Sequence, residues 1–284
     1  MFWLFLFLAA TVSAEPPGFI AMKCRSGAGM FSIFNDMLAA LKMYDQGKYE
    51  GIAIEFGQEG VYYDPLRGDN WWNYYCEPIA LGQKGPIQEV YGDAPCIKRR
   101  EIEFYTTREE ASRLIQKYIH FQPTILQKAQ AFQQKHFANR YTIGVHYRGT
   151  DKMRDEATRV HYPEVMKAIR EAIHSARARG IANYQIFAAS DEQPFIDFIR
   201  GLFQGHFCCQ EEALRSSQRM GKPAHLNPTL DRSRCGEETI LDCLLLSHCD
   251  ELIRTSSNLS LWALFLNPNL PSITLNQRFD DEPQ

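Results

Sequence analysis

The stretch YTIGVHYRGTDK, residues 141–152, runs from apolar and β-favouring residues directly into ionisable side chains. A short apolar run without polar alternation is typical of a strand that is buried on both faces, as in a parallel sheet. His146, Arg148, Asp151 and Lys152 lie at and just beyond the carboxyl end of this strand. Ligands of open parallel sheets bind beyond the carboxyl ends of the strands. The stretch therefore predicts a parallel α/β sheet with a binding site at its edge.

Strand and helix patterns alternate regularly through the rest of the second half. Helical spacing of apolar residues alternates with short apolar runs. The predicted order is a helix over 162–180, a strand over 184–190, a helix over 193–203, a short strand over 206–209, a helix over 236–250, a strand over 251–256, a helix over 258–266 and a strand over 272–276. Such alternation predicts right-handed crossovers and a parallel sheet with helices on both faces.

The first half contains one clear strand–helix–strand pattern, with strands over 18–24 and 51–57. Residues 58–103 are aromatic and irregular, and residues 106–137 form two helical runs with a break at Pro123. We place a domain boundary between residues 139 and 140. The sequence thus predicts two α/β halves, residues 15–139 and 140–284, which face a cleft.

Composition excludes several classes of partner. With 284 residues, 45% of them hydrophobic, the chain is long enough for a substantial core. A formal net charge of -3 gives no general attraction to nucleic acid or to an anionic membrane. Any anion binding must therefore be local.

The N-terminal residues 1–14, MFWLFLFLAATVSA, have the apolar run and the small-residue end of a signal peptide. They predict cleavage after Ala14 and entry into the secretory pathway. The run is shorter than the roughly 20 residues of a membrane-spanning helix, so no transmembrane span is expected. Because no Lys or Arg precedes it, a short anchor at the membrane interface is the alternative.

The spacing of the eight cysteines selects no disulfide pattern and matches no structural zinc site. Buried free thiols, which pack as small hydrophobic groups, explain them best.

Two further loops at predicted strand ends favour an anion. Ser190 and Asp191 follow one strand, and Thr255, Ser256, Ser257 and Asn258 lie between another strand and a helix. Hydroxyl groups and the free N–H groups at a helix start bind phosphate, although ordinary helix capping explains the same residues. Three such loops at one sheet edge, with Arg148 and Lys152 beside them, predict a diphosphate site.

The glycine loop CRSGAGM, residues 24–30, has the outline of a dinucleotide-binding turn but lacks its third glycine. Glu55 is only a loose candidate for the acidic residue of that fingerprint. The sequence contains no P-loop and no Asp-x-Asp pair. Cationic side chains are therefore expected to take the place of a metal ion.

The residues GVHYRGTDK, 144–152, resemble the His-x-Arg-x-Thr-Asp-Lys motif of the GDP-fucose-dependent α1,6-fucosyltransferases, which are related to the α1,2- and protein O-fucosyltransferases. Residues 236–260, GEETILDCLLLSHCDELIRTSSNLS, resemble the last motif that these enzymes share. The resemblance covers about residues 141–275. It implies two Rossmann-like halves of the metal-independent glycosyltransferase type, with the nucleotide sugar held mainly by residues 140–284 and the acceptor on the side of residues 15–139.

The resemblance also implies a reaction and its residues. The donor would be GDP-fucose or a related GDP-sugar, the acceptor a glycan or glycoconjugate hydroxyl, with no metal and no other cofactor. The implied catalytic residues are Arg148, Lys152, Glu156 and Asp155. From the strand-end loops and the resemblance together, the predicted nucleotide-sugar-binding residues are His146, Asp151, Ser190, Asp191, Asp242, Thr255, Ser256, Ser257 and Asn258. One departure from the pattern is Gly149, where α1,6 enzymes commonly have a second Arg.

Arg148 would neutralise the departing β-phosphate, because a guanidinium donates to phosphate bidentately and stays charged. His146 and Asp242 would contact the nucleotide. Glu156, or failing it Asp155, would act as the base for the acceptor hydroxyl; the alternative is that both are solvated loop acids.

The aromatic residues Trp71, Trp72, Tyr74 and Tyr75 form either a stacking platform for an acceptor sugar or part of the core. For the whole chain, the alternatives are a GDP-sugar-binding protein without turnover and, from the glycine loop alone, an NAD(P)-dependent oxidoreductase.

Overall fold

The computed structural model describes residues 18–24, 27–82, 87–92, 100–150 and 157–276. The predicted signal peptide, residues 1–14, lies outside this part of the chain, so export stays a prediction. Across the described segments, no helix is long and apolar enough to cross a membrane.

The first half forms a four-stranded sheet with helices packed against it. Its strands are β1 Phe19–Lys23, β2 Gly51–Ile54, β3 Ala80–Gly82 and β4 Ile87–Tyr91, and its α-helices are α1 Met30–Asp45, α2 Arg108–Tyr118 and α3 Pro123–His136. The strand order is β3-β2-β1-β4. β2 and β4 run parallel to β1, whereas β3 is antiparallel to β2. A short 3-10 helix, Trp71–Tyr74, and one π-helical turn, Glu101–Tyr105, complete this half.

The sequence predicted β1 and β2 but not β3 and β4. Both of the missed strands lie in the region 58–103 that reads as irregular. β3 is only three residues long, and β4 exposes its first three residues on the edge of the sheet. Neither strand therefore carries the apolar run by which β1 and β2 are identified.

The second half forms a parallel sheet of five strands. Its strands are β5 Tyr141–Tyr147, β6 Tyr184–Ser190, β7 Phe207–Cys208, β8 Glu251–Arg254 and β9 Ser272–Thr274, and its α-helices are α4 Tyr162–Ala178, α5 Gln193–Leu202, α6 Arg232–Ser247 and α7 Asn258–Leu266. The order is β7-β6-β5-β8-β9, and every pairing is parallel. The predicted α/β fold class is confirmed, with a wholly parallel sheet here and one antiparallel strand, β3, in the sheet of the first half.

The strand order reverses at β5, which lies between β6 and β8. In the register of the sheet, His146 on β5 is opposite Ala189 on β6 and Arg254 on β8. A crevice opens outside the carboxyl ends of the strands at such a switch point. The residues that follow β5, β6 and β8 therefore meet at one edge.

The two halves share a hydrophobic core. Phe31 and Phe34 of α1 pack against Trp262 of α7, with ring centroids 5.5 Å and 5.3 Å apart. The indole Nε1 of Trp262 donates a hydrogen bond of 2.6 Å to the Oδ1 atom of Asn35, also on α1. The division of the chain at residues 139 and 140 stays a prediction.

The aromatic cluster at 71–75 belongs to this core. Trp71, Trp72 and Tyr75 are fully buried and Tyr74 is 7% exposed. Trp72 packs on Phe34, and its Nε1 atom donates to the carbonyl of Glu77. Because a stacking platform needs an exposed ring face, the interpretation of these residues as an acceptor platform is wrong.

The described cysteines, which are Cys24, Cys76, Cys208, Cys209, Cys235, Cys243 and Cys249, are free and buried. This arrangement confirms the prediction of buried free thiols for these positions.

Candidate active site

A cavity of about 260 Å³ lies between the carboxyl edge of the second sheet and the amino end of α1. The second sheet and its helices contribute seven of the predicted residues to its lining, namely His146, Arg148, Ser190, Asp191, Asp242, Ser257 and Asn258. The first half contributes residues 27–32 and Tyr62, so the glycine loop faces the same cavity. The remaining lining residues are Ala213, Leu214, Ala224, His225, Leu226, Cys235, Glu238, Thr239 and Leu259.

Asp191 fixes the end of β5 and orients Arg148. Its Oδ2 atom lies 3.1 Å from the Nη1 atom of Arg148. Its Oδ1 atom accepts a hydrogen bond of 2.9 Å from the backbone N–H of Gly149, and Oδ2 also accepts from the Thr150 hydroxyl. Arg148 is therefore held in place with its charge at the cavity.

Thr255 and Ser256 do not line the cavity. Thr255 is fully buried, and its backbone N–H donates to the carbonyl of His146 at 3.0 Å. Its hydroxyl oxygen accepts from the backbone N–H of Arg148 at 2.8 Å. The N–H of Ser256 donates to the Oδ1 atom of Asn276 at 2.7 Å. Thr255 therefore joins the ends of β5 and β8, and Ser256 joins the end of β8 to the segment after β9, which are structural contributions to the site.

Asn258, the first residue of α7, lines the cavity and is held from the first half of the chain. Its Nδ2 atom donates to the Oε1 atom of Glu103 at 3.2 Å. The same Glu103 oxygen accepts from the Nδ2 atom of Asn35 at 3.0 Å. The amide oxygen of Asn258 is buried and has no hydrogen-bond partner within the described segments. That oxygen is available to accept a hydrogen bond from a ligand.

Asp242 on α6 is the buried carboxylate of the cavity, with 8% of the residue exposed. Burial raises its pKa to about 6, while the charge of Arg215 and a hydrogen bond from Gln210 act in the opposite direction. Near pH 7 the carboxylate is therefore mostly charged and accepts hydrogen bonds from a ligand.

Gly149 has no room for a side chain. A Cβ atom at this position would lie 2.4 Å from the Cδ atom of Glu192 and 2.5 Å from the ring of Tyr147. Glu192 is 1% exposed and fixed, because it accepts hydrogen bonds from the Tyr162 hydroxyl at 2.8 Å and from the backbone N–H of Met220. Burial raises the pKa of Glu192. The space that a second Arg would enter is occupied by this carboxylate.

Replacing Gly149 with Ala is expected to lower the free energy of unfolding by about 1–3 kcal/mol, the usual cost of overpacking. The reason is the fixed Glu192 carboxyl group, which cannot move without losing its two donors. Urea unfolding measures the effect. Gly201 is the matched control, since a Cβ there meets nothing within 4 Å in helix α5. Gly201→Ala should stabilise the protein by up to about 1 kcal/mol, and equal effects of the two changes would contradict the packing argument.

Several cavity residues were missed by the sequence analysis. His225 stacks on Tyr62 with ring centroids 6.3 Å apart, so the cavity is closed on this side by residues from both halves. Cys235, Glu238 and Thr239 share one face of α6 with Asp242. Their positions three, four and seven residues before Asp242 are the helical spacing that could have identified the three α6 residues.

The remaining predicted residues, Asp151, Lys152, Asp155 and Glu156, lie outside the described residues, and their assigned roles stay predictions. Within the described ranges, no three His, Cys, Asp or Glu side chains are grouped so that they could hold a metal ion. The expectation of a metal-independent reaction also stays a prediction.

Comparison with known proteins agrees with this architecture. Fucosyltransferase NodZ from Bradyrhizobium is 16% identical, with a TM-score of 0.57 over 94% of this chain and 100% of that chain. A mutant of Arabidopsis thaliana FUT1 in complex with GDP is 9% identical, with a TM-score of 0.53 over 93% of this chain and 72% of that one. POFUT1 in complex with GDP is 11% identical, with a TM-score of 0.50 over 92% and 98% of the two chains. No protein with a curated description matches the sequence significantly.

These likenesses show that the chain has the fold of the named proteins. The model of the nodulation protein Z (NodZ) family matches residues 93–279, which is more than half of the 284 residues. The chain therefore belongs to the NodZ family. The resemblance that the sequence analysis found around Arg148 is confirmed, and with it the prediction of a fucosyltransferase-type glycosyltransferase.

Proposed function

We propose that the chain transfers fucose from GDP-fucose to a hydroxyl group of a glycan or glycoconjugate, with inversion at the sugar carbon and without a metal ion. The observation that carries this proposal is the cavity itself. It brings Arg148, His146 and Asp242 together at the switch point of the second sheet and closes them against the amino end of α1. A NodZ α1,6-fucosyltransferase structure soaked with GDP-fucose has the same fold at 16% identity, with a TM-score of 0.57.

In the proposed reaction, the acceptor oxygen bonds to C1 of fucose while the bond from C1 to the β-phosphate oxygen breaks. The electron pair of that bond leaves with GDP, and the hydroxyl proton passes to a carboxylate base. Positive charge develops on the sugar ring and negative charge on the phosphate. The guanidinium of Arg148 stabilises the phosphate charge more in the transition state than in the ground state. The ion pair with Asp191 keeps the guanidinium in position before the substrate arrives.

Glu156 is the proposed base and Asp155 the second choice, since a positioned base contributes roughly 100-fold or more. Lys152 is proposed to lie near the sugar. Helix α7 presents Ser257 and Asn258 at the cavity wall. The buried amide oxygen of Asn258 is suited to accept a hydrogen bond from a hydroxyl group of the donor or acceptor sugar.

Neither alternative function has a specific observation in its favour. The acidic residue suggested for a dinucleotide site, Glu55, is half-exposed and paired with Lys23 at 2.7 Å, on a different strand end from the cavity. The alternative of a binding protein without turnover was suggested by Gly149, where a second Arg is common. Glu192 fills the space that this Arg would need, and Arg148 still lines the cavity.

A thermal-shift titration of the purified protein tests the proposed donor. A ligand that binds the native state at about 100 times its Kd stabilises it by about 2.7 kcal/mol. We expect GDP to raise the melting temperature, both with EDTA and with added divalent metal, and UDP, CDP and NAD to raise it less. A transfer assay with GDP-fucose and a panel of glycan acceptors then measures turnover. No response to GDP would contradict the proposal, and GDP binding without transfer to any acceptor would favour a binding protein.

A further inference from the structure

Gln210 lies two residues after the end of β7 and contacts the carboxylate of Asp242. Its Nε2 atom donates a hydrogen bond of 2.5 Å to the Oδ1 atom of Asp242 and one of 2.9 Å to the carbonyl of Glu238. The contact joins residues that are 32 positions apart in the sequence. The side chain of Gln210 is therefore held at both N–H groups.

The loop that carries Gln210 is itself fixed. The Nη2 atom of Arg215 donates to the backbone carbonyl of Gln210 at 2.6 Å, and its Nη1 atom donates to the carbonyl of Ala213 at 3.3 Å and to the Oε1 atom of Gln193 at 3.4 Å. None of these contacts uses the side chain of Gln210, so they do not depend on its identity. A substitution at position 210 can thus change the contact with Asp242 without removing the loop's anchor.

Two carboxylates of α6, Glu238 and Asp242, line the cavity. They differ in how many of their oxygens already accept a hydrogen bond from the protein. Both oxygens of Glu238 accept hydrogen bonds of 2.7 Å from the protein, one from Arg234 and one from the backbone N–H of Leu214. Asp242 has its Oδ1 atom at Gln210, and within the described part of the chain its Oδ2 atom has no hydrogen-bond partner. Asp242 therefore offers a ligand one oxygen that takes no hydrogen bond from the described protein atoms, whereas both oxygens of Glu238 already accept one.

We propose that Gln210 is a positioning residue for nucleotide recognition, which orients the Asp242 carboxylate and stabilises its charged form so that the carboxylate accepts hydrogen bonds from the base. This inference rests on the proposed binding of GDP in this cavity. Guanine presents two adjacent groups of N–H donors, on N1 and N2, to such a carboxylate. A carboxylate has about four acceptor sites, so Oδ1 can keep its bond to Gln210 while the base binds.

The charge of Asp242 depends on its neighbours. Arg215 on the loop favours the charged form, Glu238 on α6 disfavours it, and burial disfavours it most. His146 of β5 and His225 face the same cavity. A hydrogen bond to the charged form lowers the pKa of a carboxyl group. Removing the Gln210 donor therefore raises the pKa of Asp242 above its value of about 6.

The test is the affinity for GDP as a function of pH, measured by calorimetry on the wild type and on Gln210→Met, which keeps the length of the side chain but has no donor. Because the charged form of Asp242 binds the base, affinity is present above the pKa and lost as the pH falls through it. We expect the midpoint of this loss to move up by about one pH unit in Gln210→Met, as for the loss of a hydrogen bond to a charged group. The affinity should therefore fall by about twofold at about pH 7 and by about ninefold at about pH 5, and it should return to the wild-type value by about pH 9.

Gln210→Glu gives a second, independent measurement. It preserves the shape of the side chain but places a negative charge beside Asp242, which should raise the midpoint further than Met does. Gln116→Met is the control, because Gln116 is exposed on α2 and bonds only to Ser112 among the described contacts of its side chain. This control should leave the midpoint unchanged.

The possible results distinguish the positioning role of Gln210 from the binding of GDP itself. An upward shift in both Gln210 variants supports the positioning role. An equal loss of affinity at every pH, or an unshifted midpoint in both variants, overturns it while GDP binding stands. A wild-type protein that binds no GDP at any pH overturns the proposed function itself.

Discussion

Replacing Arg148 with Ala is expected to lower kcat/KM for fucose transfer by about 100- to 1,000-fold, the usual effect of removing one group that stabilises developing negative charge. The loss should fall mainly on kcat, because the phosphate carries more charge in the transition state than in bound GDP-fucose. GDP affinity should fall less, since the base and ribose contacts remain. Steady-state kinetics with saturating acceptor separates the two effects.

The fold should survive this change. The bond from the backbone N–H of residue 148 to Thr255 does not involve the side chain. Asp191 keeps the backbone N–H of Gly149 and the hydroxyl of Thr150 as donors. A partly exposed ion pair contributes about 0–1 kcal/mol to stability, so urea unfolding should show only a small change.

Two further variants make the result specific. Arg148→Lys keeps a positive charge but loses the planar, bidentate donor geometry, so it should recover only part of the activity. Arg170→Ala removes an exposed arginine on α4 and should be neutral. Full activity in Arg148→Ala would show that the guanidinium does not act on the leaving phosphate.

The site residues that could be predicted from the sequence are those that lie directly beside a recognisable strand or helix. The apolar run 141–147 identifies β5, and polar residues directly after it must lie at the sheet edge. The same reasoning identified Ser190 and Asp191 at the end of β6, and Ser257 and Asn258 at the start of α7. Each of these four residues lines the cavity.

The rest depends on contacts between distant positions. The hydroxyl groups of Thr255 and Ser257 follow the same strand, yet Thr255 binds the β5 backbone 107 residues away while Ser257 lines the cavity. A hydroxyl group at a strand end can form a hydrogen bond with a ligand or with the backbone. The packing of β8 against β5 determines which of the two forms. The need for glycine at position 149 also depends on a distant residue, because the carboxyl group of Glu192, between β6 and α5, fills the space for a side chain. No motif marks His225 and Tyr62, which meet only when the two halves pack together.

Replacing Asp242 with Asn is expected to weaken GDP binding by about 100-fold near neutral pH, which corresponds to about 2.7 kcal/mol and is within the range for a hydrogen bond to a charged group. The buried carboxylate offers only acceptors, and guanine offers adjacent N–H donors. An amide keeps the shape but places an NH₂ group or a single neutral oxygen opposite those donors. Calorimetry with GDP measures the loss, and Glu171→Gln on the exposed face of α4 is a charge-matched control.

Asp242→Asn should also remove the pH dependence of binding. In the wild type, the affinity for GDP should be constant at high pH and fall as the pH drops through the pKa of Asp242, about 6. The variant has no carboxyl group to protonate, so its weak affinity should not show this midpoint. Persistence of the same midpoint in Asp242→Asn would assign the titration to a group other than Asp242. Because UDP and CDP do not present the same pair of donors, their affinities should be the same for both proteins, and base selectivity would then depend on this one buried carboxylate.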